Sequence, residues 1–321
     1  MPRAQAKKPW TWLDTETTGL FPHKGARVLQ VAVQITDDAL RPWTRHNRTK
    51  YATDIRLPED AMAVASPSAL RVNGFARRWT VLELRDCPEE TRPYLACGRI
   101  VDLAGTVRGV GTEMTNEMID LVEAGRYTHG FVDKKDEAPI GTYAWVMDDP
   151  KRYFDAPPPE AVWPIVHSML SGCHLVCQNV PFDKPFIEAE LHGLGLTYPC
   201  ERRHIEMMSL SNLVAQHLGT PVWGLEVLYD TMVEKFGLPP VEAHRAEGDI
   251  FRMMQVYRFA REHFFRGVGV GGCSRVAELE ARVAELEEEI AKIKSATGWV
   301  PPFPPGDNGH GAAFDLPPSR L

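Results

Sequence analysis

The order of apolar segments along the chain is the feature that most constrains its fold. Residues 10–16 and 27–36 are short apolar segments rich in β-branched side chains, which predicts two strands, and a third strand is predicted at 43–51. Beyond Pro157, strand and helix patterns alternate. Strands that come first and are followed by alternating strand and helix predict a mixed α/β sheet covered by helices.

The alternating part of the chain contains one short buried strand and several helices. The strand is predicted at 174–179, and a glycine at 172 closes the helix before it. The predicted helices are 157–170, 184–195, 204–217, 224–236 and 247–265. This half of the chain is therefore expected to supply most of the helices that cover the sheet.

The composition, with 44% hydrophobic and 25% charged residues, is that of an ordinary globular chain. Neither a signal peptide nor an apolar run that could span a membrane is found, so we expect a cytoplasmic protein without a membrane partner. Six cysteines without disulfide-framework spacing predict reduced thiols. The net charge of −7 gives no general attraction to nucleic acid, yet a metal-dependent nuclease concentrates acidic groups where cations neutralise them.

Three further segments are predicted after residue 265. Residues 266–274 form a glycine-rich linker, and 296–321 form a disordered tail rich in Pro and Gly. Residues 275–295 carry apolar side chains at alternating spacings of three and four, the pattern of a short coiled-coil helix. A homodimer through this helix and a helix that folds back on its own domain both fit the pattern.

Two carboxylates lie on a strand that otherwise has the composition of a buried one. Side chains alternate between the two faces of a strand, so Asp14 and Glu16 point the same way and can reach one ion. Gly19 can turn the chain sharply after them, and the intervening threonines can donate hydrogen bonds close to both acids. The segment is therefore a candidate metal or catalytic site.

Two further acids and one histidine extend the candidate site. Asp183 follows the strand at 174–179 and begins a helix, where the alternative role is a helix N-cap. Asp249 falls on the apolar stripe of its helix, a costly place for an acid unless it is paired or metal-bound. On one continuous helix, His244 and Asp249 would lie roughly 140° apart. They can face one site only if His244 lies on the loop that precedes the helix.

Three short motifs, in this order, resemble the exonuclease motifs of the DEDD superfamily. They are Asp14-Thr15-Glu16-Thr17-Thr18-Gly19, Asn179-x-x-Phe182-Asp183 and His244-Arg245-Ala246-x-x-Asp249. The histidine places the resemblance with the DnaQ-like branch, which includes the polymerase III epsilon proofreading subunit and ribonuclease T. The resemblance covers roughly residues 9–75 and 157–265. Three motifs in order, each on the expected kind of element, are a specific signal.

The resemblance implies a ribonuclease-H-like mixed sheet flanked by helices and a 3′–5′ exonuclease activity. Two Mg²⁺ or Mn²⁺ ions would be held by Asp14, Glu16, Asp183 and Asp249. All-oxygen ligation suits these ions, and two cations relieve the repulsion among four carboxylates. His244 would accept the proton of the attacking water, and nucleoside 5′-monophosphates would leave from the 3′ end of DNA.

The same resemblance implies a seat for the terminal nucleotide of a single-stranded or frayed 3′ end. Backbone contacts and an apolar wedge select an end without reading sequence. The wedge would be Leu20, and the pocket would be formed by Thr17, Thr18, Gly19, Asn179 and Phe182. Packing in the core explains Phe182 equally well.

The chain departs from the family by roughly 80 extra residues, 76–156, between the third strand and the helix before the second motif. This length exceeds ordinary loops and predicts a small inserted subdomain within an exonuclease domain at 9–265. Arg77, Arg78 and Trp79 at its start could contact substrate. Docking of a partner, and a purely structural insertion, are the alternatives.

Other functions stay open beside a DNA exonuclease. One is an exoribonuclease of the ribonuclease T or oligoribonuclease type, since sugar preference depends on a few contacts to the 2′ position. The other is an inactive module that binds nucleic acid or docks on a polymerase partner. The complete set of acids together with His244 favours an enzyme.

Overall fold

A computed structural model of the chain describes residues 8–44, 47–128, 141–221, 224–242 and 244–265. The described residues up to His263 belong to one compact unit. The linker, coiled-coil helix and tail predicted at 266–274, 275–295 and 296–321 lie outside the described residues. Those three predictions and the homodimer stay predictions.

The strands form one larger sheet and two smaller sheets. They are β1 (Trp10–Thr17), β2 (Val28–Thr36), β3 (Lys50–Asp54), β4 (Ala76–Thr80), β5 (Arg99–Val101), β6 (Val107–Arg108), β7 (Tyr127–Thr128), β8 (Tyr143–Met147), β9 (His174–Cys177) and β10 (Ile205–Glu206).

The longer helices follow Pro158 and alternate with strands β9 and β10 of the larger sheet, as the sequence pattern predicts. The helices are α1 (Glu59–Ala63), α2 (Pro67–Val72), α3 (Val81–Asp86), α4 (Asn116–Glu123), α5 (Pro150–Phe154), α6 (Pro159–Leu170), α7 (Val180–Gly193), α8 (Met208–Leu218), α9 (Leu225–Phe236) and α10 (Ala246–His263). No helix within the described ranges combines the length and apolar character that a membrane span needs.

The larger sheet has five strands in the order β10-β9-β1-β2-β3. Strand β2 is antiparallel to β1 and β3, whereas β9 runs parallel to both β1 and β10. Helices α6 and α7 pack against this sheet, as does α10 together with α8 and α9. The predicted mixed α/β sheet flanked by helices is confirmed.

Two details of the predicted sheet are wrong. The third strand covers Lys50–Asp54 rather than 43–51, and the described residues 43, 44 and 47–49 belong to no strand. The start of the predicted helix 204–217 is the short strand β10, whose Ile205 pairs with Val176 of β9. Two residues are too few for a period to show in the sequence.

The inserted segment 76–156 forms two small sheets, β4-β8 and β6-β5-β7. Strand β8 is buried on both faces and separates two apolar clusters. Tyr143 and Trp145 belong to the core beneath the larger sheet, while Ala144 and Val146 join a cluster made by the insertion itself. The insertion is therefore packed on the main core, and its standing as a separate subdomain stays a prediction.

Candidate active site

Strand β1 divides its side chains between two layers of the fold. Leu13 points into the core that also contains Trp163 of α6. Trp12 points to the opposite face, where its ring centroid lies 5.7 Å from that of Tyr257 on α10. Because side chains alternate along a strand, Asp14 and Glu16 share the face of Trp12 and look toward α10. The ladder between β1 and β2 shifts register just after Glu16, where the strand ends.

Asp183 lies on α7, which packs on the face of the sheet that carries Leu13, and it is only 3% exposed. Thr15 Oγ1, on the opposite face of β1 from Asp14, donates a hydrogen bond of 2.8 Å to Asp183 Oδ1. The helix begins at Val180, four residues before the predicted start, and its N-cap residue is Asn179. The N-cap role considered for Asp183 is therefore wrong, and its carboxylate turns toward β1.

Asp249 lies in the first turn of α10, on the stripe that buries Met253 and Val256. Arg252 Nη1 lies 3.3 Å from Asp249 Oδ1, and the arginine side chain is 2% exposed. A buried cation beside a buried carboxylate offsets part of the cost of burying it. Asp249 therefore lies on the apolar stripe of its helix, as the sequence predicts.

His244 precedes α10 and lies on the loop, as the geometric argument from the sequence requires. Its backbone has φ of 55°, the left-handed region that non-glycine residues rarely adopt. Ligand atoms of Glu16, His244 and Asp249 all lie within 4.8 Å of one another. The imidazole Nε2 also lies 3.4 Å from Glu226 Oε2 of α9.

Burial raises the pKa values of all four acids, and repulsion from the other acids adds to the rise for Asp14 and Glu16. Burial raises the pKa of Glu16 to about 8, and repulsion from Asp249 and Asp183 adds to the effect. Burial raises the pKa of Asp183 to about 7, although the Thr15 hydrogen bond opposes the rise. The pKa of Asp14 is raised well above its ordinary value by burial and then by the other three acids.

The pKa of Asp249 is also raised by burial, while the charge of Arg252 and the nearby His244 act to lower it. Burial therefore disfavours the charged form of each of the four predicted acids. Carboxylates in such a place are stable as anions only when cations neutralise them. The donor set is mostly oxygen, which suits Mg²⁺ or Mn²⁺, and a divalent cation fits the residues present.

The turn after β1 is held by its own hydrogen bonds. Thr17 Oγ1 donates to the Gly19 carbonyl at 2.7 Å, and Thr18 Oγ1 accepts from the Arg27 amide at 2.8 Å. Both threonines are buried, whereas Leu20 is 67% exposed. The threonine hydroxyls thus shape the turn, and Leu20 is available to contact a ligand.

Asn179 and Phe182 lie at the start of α7. The carbonyl of Asn179 accepts hydrogen bonds from the amides of Phe182 and Asp183. Phe182 is half-buried against the main core, with its ring centroid 5.2 Å from that of Phe186. The packing role is therefore real for Phe182, and contact with substrate stays a prediction for both residues.

Several residues around the site carry no signal in the sequence. Arg252 and Glu226 contact Asp249 and His244, but a charged residue on a helix is ordinarily taken as solvent-facing. Arg27 binds Glu190 of α7 through two hydrogen bonds of 2.8 Å, and Glu190 is 5% exposed. Only the three-residue spacing of Asp249 and Arg252, one helical turn, could have been noticed.

Comparison with solved structures finds matches at low identity. The zinc-ion-bound form of an exonuclease I–single-stranded DNA complex from E. coli is 12% identical, with a TM-score of 0.47, and covers 81% of this chain and 42% of that one. Cell-death related nuclease 4 (CRN-4) is 12% identical, with a TM-score of 0.43, and covers 80% of this chain and 64% of that one.

The chain spans less than half the length of the exonuclease I structures that it matches. No protein-family model matches the chain. A search of curated proteins likewise finds no match. What the site does is therefore argued from its own residues.

Proposed function

We propose that the chain is a metal-dependent 3′–5′ exonuclease of the DnaQ-like histidine branch that acts on DNA. The observation that carries the proposal is the grouping of Glu16, His244 and Asp249, whose ligand atoms lie within 4.8 Å of one another. It is supported by the charges of Asp183 and Asp249, which raise the pKa values of both Asp14 and Glu16. Asp14 and Glu16 come from β1, Asp183 from α7 and Asp249 from α10. Raised pKa values are common where side chains serve catalysis, which supports a functional rather than a structural role.

The residues that would hold two divalent cations are Asp14, Glu16, Asp183 and Asp249. When bound, such cations neutralise the charge on the scissile phosphate and on the oxygens that attack and leave it. The raised pKa values imply that cations and protons compete for the same carboxylates, so cation binding strengthens as pH rises.

His244 is the candidate general base. It is half-exposed, with 42% of its side chain accessible, so a water molecule and a substrate phosphate can reach it. Imidazole is the side chain whose ordinary titration lies nearest neutral pH, which suits proton transfer from water. Glu226 lies beside its Nε2 and can orient the ring. The proton of the attacking water would pass to this imidazole.

The 3′-terminal nucleotide would sit at the turn after β1. Leu20, exposed beside a turn fixed by Thr17 and Thr18, offers an apolar contact for the terminal base. Contacts of this kind hold a chain end without reading its sequence. Asn179 and Phe182 would border the pocket from the start of α7.

The proposal is tested by identifying the product. The full-length chain is incubated with a single-stranded DNA and, separately, with an RNA of matched sequence, each in Mg²⁺ or Mn²⁺. We expect nucleoside 5′-monophosphates from DNA at a higher rate than from RNA, and none after chelation or in Asp14→Asn. Faster release from RNA would identify RNA rather than DNA as the preferred substrate. No release from either strand would refute the proposed exonuclease activity.

A further inference from the structure

Gln30 lies on β2 directly opposite Glu16 of β1, on the face that looks toward α10. Its side chain is half-buried and joins two elements that are remote in sequence. Gln30 Nε2 donates a hydrogen bond of 2.6 Å to Asp54 Oδ1 on β3. Gln30 Oε1 accepts a hydrogen bond of 2.8 Å from the backbone N–H of Ala246.

The chemistry of these two partners fixes the orientation of the Gln30 amide. An ionised carboxylate only accepts hydrogen bonds, and a backbone N–H only donates one. The NH₂ group must therefore face Asp54, and the carbonyl must face Ala246. A primary amide meets both requirements, whereas Met has similar length and meets neither.

Ala246 is the first residue of α10. The first N–H groups of a helix have no partner within the helix and need an acceptor from elsewhere. Gln30 supplies that acceptor across the sheet, a task that an N-cap side chain ordinarily performs from within the chain. His244 lies two residues before this point and Asp249 three residues after it, so the hydrogen bond fixes the segment that carries both.

Asp54 is in turn held by the insertion. Arg152 of α5 donates to both carboxylate oxygens of Asp54 through Nε and Nη2. The pair is largely buried, with 23% of the arginine and 12% of the aspartate side chain exposed. The Arg152 guanidinium also lies 4.9 Å from the ring centroid of Phe75. The planar, two-pronged contact restricts Asp54 to one orientation.

These contacts form a continuous chain from the insertion to the start of α10. Arg152 orients Asp54, Asp54 orients the amide of Gln30, and Gln30 binds the N–H of Ala246. Arg152, Asp54 and Gln30 line one wall of a cavity of about 600 Å³ beside the first turns of α10. These residues therefore border the solvent-accessible cavity, and Gln30 also lies opposite Glu16 in the sheet.

We propose that Gln30 is a positioning residue for His244 and Asp249, and that Arg152 of the insertion controls it through Asp54. The catalytic consequence rests on the proposed function, but the positioning itself does not. Hydrogen bonds that orient the groups around a metal site typically affect metal affinity or activity by about 10- to 100-fold. The insertion thereby acquires a role in the site without touching substrate.

Hydrogen exchange of backbone amides tests the positioning without reference to activity. In Gln30→Met, we expect the amides of residues 246–249 to exchange at least about tenfold faster, while those of α7 keep their wild-type rates. The matched control is Gln34→Met, because Gln34 lies on the same face of β2, opposite Trp12 and away from the acids. Equal acceleration in α7 and α10, or none in either, overturns the proposal.

Kinetics on the DNA strand test the consequence. For Gln30→Met we expect kcat about 10- to 100-fold lower, with KM within about twofold of the wild-type value, and Gln34→Met unchanged. A wild-type kcat in Gln30→Met refutes the positioning role. If the wild-type chain degrades no nucleic acid, the proposed function fails, while the exchange measurement still decides the positioning.

Arg152→Gln tests the remote end of the chain of contacts and avoids any change beside Glu16. We expect it to accelerate exchange of the Ala246 amide in the same direction, by a smaller factor than Gln30→Met. In the double variant the two effects should not multiply, because both act through one hydrogen bond. If the effects of the two substitutions on exchange multiply, or if Arg152→Gln has no effect, then Arg152 of the insertion does not control Gln30.

Discussion

The raised pKa of Glu16 predicts an unusual dependence of stability on pH. Its pKa rises from the ordinary 4.5 to about 8 in the folded chain, so between these values the folded state binds the proton more tightly than the unfolded state. The free energy of unfolding then falls as pH rises through this window. Stability from this group is fully present below about pH 4.5 and is lost by about pH 8.

The size of the effect follows from the same values. Each pH unit between the two pKa values is worth about 1.4 kcal/mol, which gives about 5 kcal/mol for the full window. Solvent next to a partly exposed carboxylate screens part of this, so we expect about 2 to 3 kcal/mol. Bound divalent cation favours the ionised carboxylate and should reverse the trend.

The assay is urea unfolding of the full-length chain at about pH 5 and about pH 8, with metal removed by a chelator. Glu16→Gln cannot titrate, so the wild type should lose about 2 to 3 kcal/mol more than this variant between the two pH values. Glu234→Gln, at an exposed position of α9, should follow the wild type. Equal losses in the wild type and Glu16→Gln would refute the reasoning.

Three further changes test other parts of the account. Thr15→Val removes the hydrogen bond that holds down the pKa of Asp183, so the acidic limb of the pH–rate profile should move up by about one pH unit; an unchanged limb would contradict this. Glu190→Gln breaks the buried pair with Arg27 and should lower the free energy of unfolding by about 3 kcal/mol in urea titrations, whereas the exposed Glu188→Gln should cost less than about 1 kcal/mol. Leu20→Ala should raise KM for DNA and leave stability within about 0.5 kcal/mol, because the side chain is exposed; an unchanged KM argues against the wedge.

Elements with a long apolar period could be predicted from the sequence. Strands β1 and β2 begin and end within about one residue of their predicted positions, and α10 follows the stripe that buries Met253 and Val256. Helix geometry requires His244 to lie on the loop if it shares a site with Asp249, and His244 does precede the first residue of α10. Period and geometry suffice here because each is a local property of the backbone.

Elements set by distant contacts could not be predicted. Strand β10 has two residues and exists because β9 lies beside it. Helix α7 begins before Asp183, so the acid reaches Thr15 of β1 rather than capping its own helix. The partners of Gln30 are 24 and 216 residues away in the chain, and no local pattern records such a pairing.

The most direct test of the central claim is a time course on a DNA strand labelled at its 5′ end. We expect the wild-type chain, with Mg²⁺ or Mn²⁺, to shorten the strand stepwise from the 3′ end. Asp14→Asn, Asp183→Asn and Asp249→Asn should leave it intact, and Glu234→Gln should match the wild type. A strand that stays intact with the wild type in both metals, or that is shortened equally by the aspartate variants, would contradict that claim.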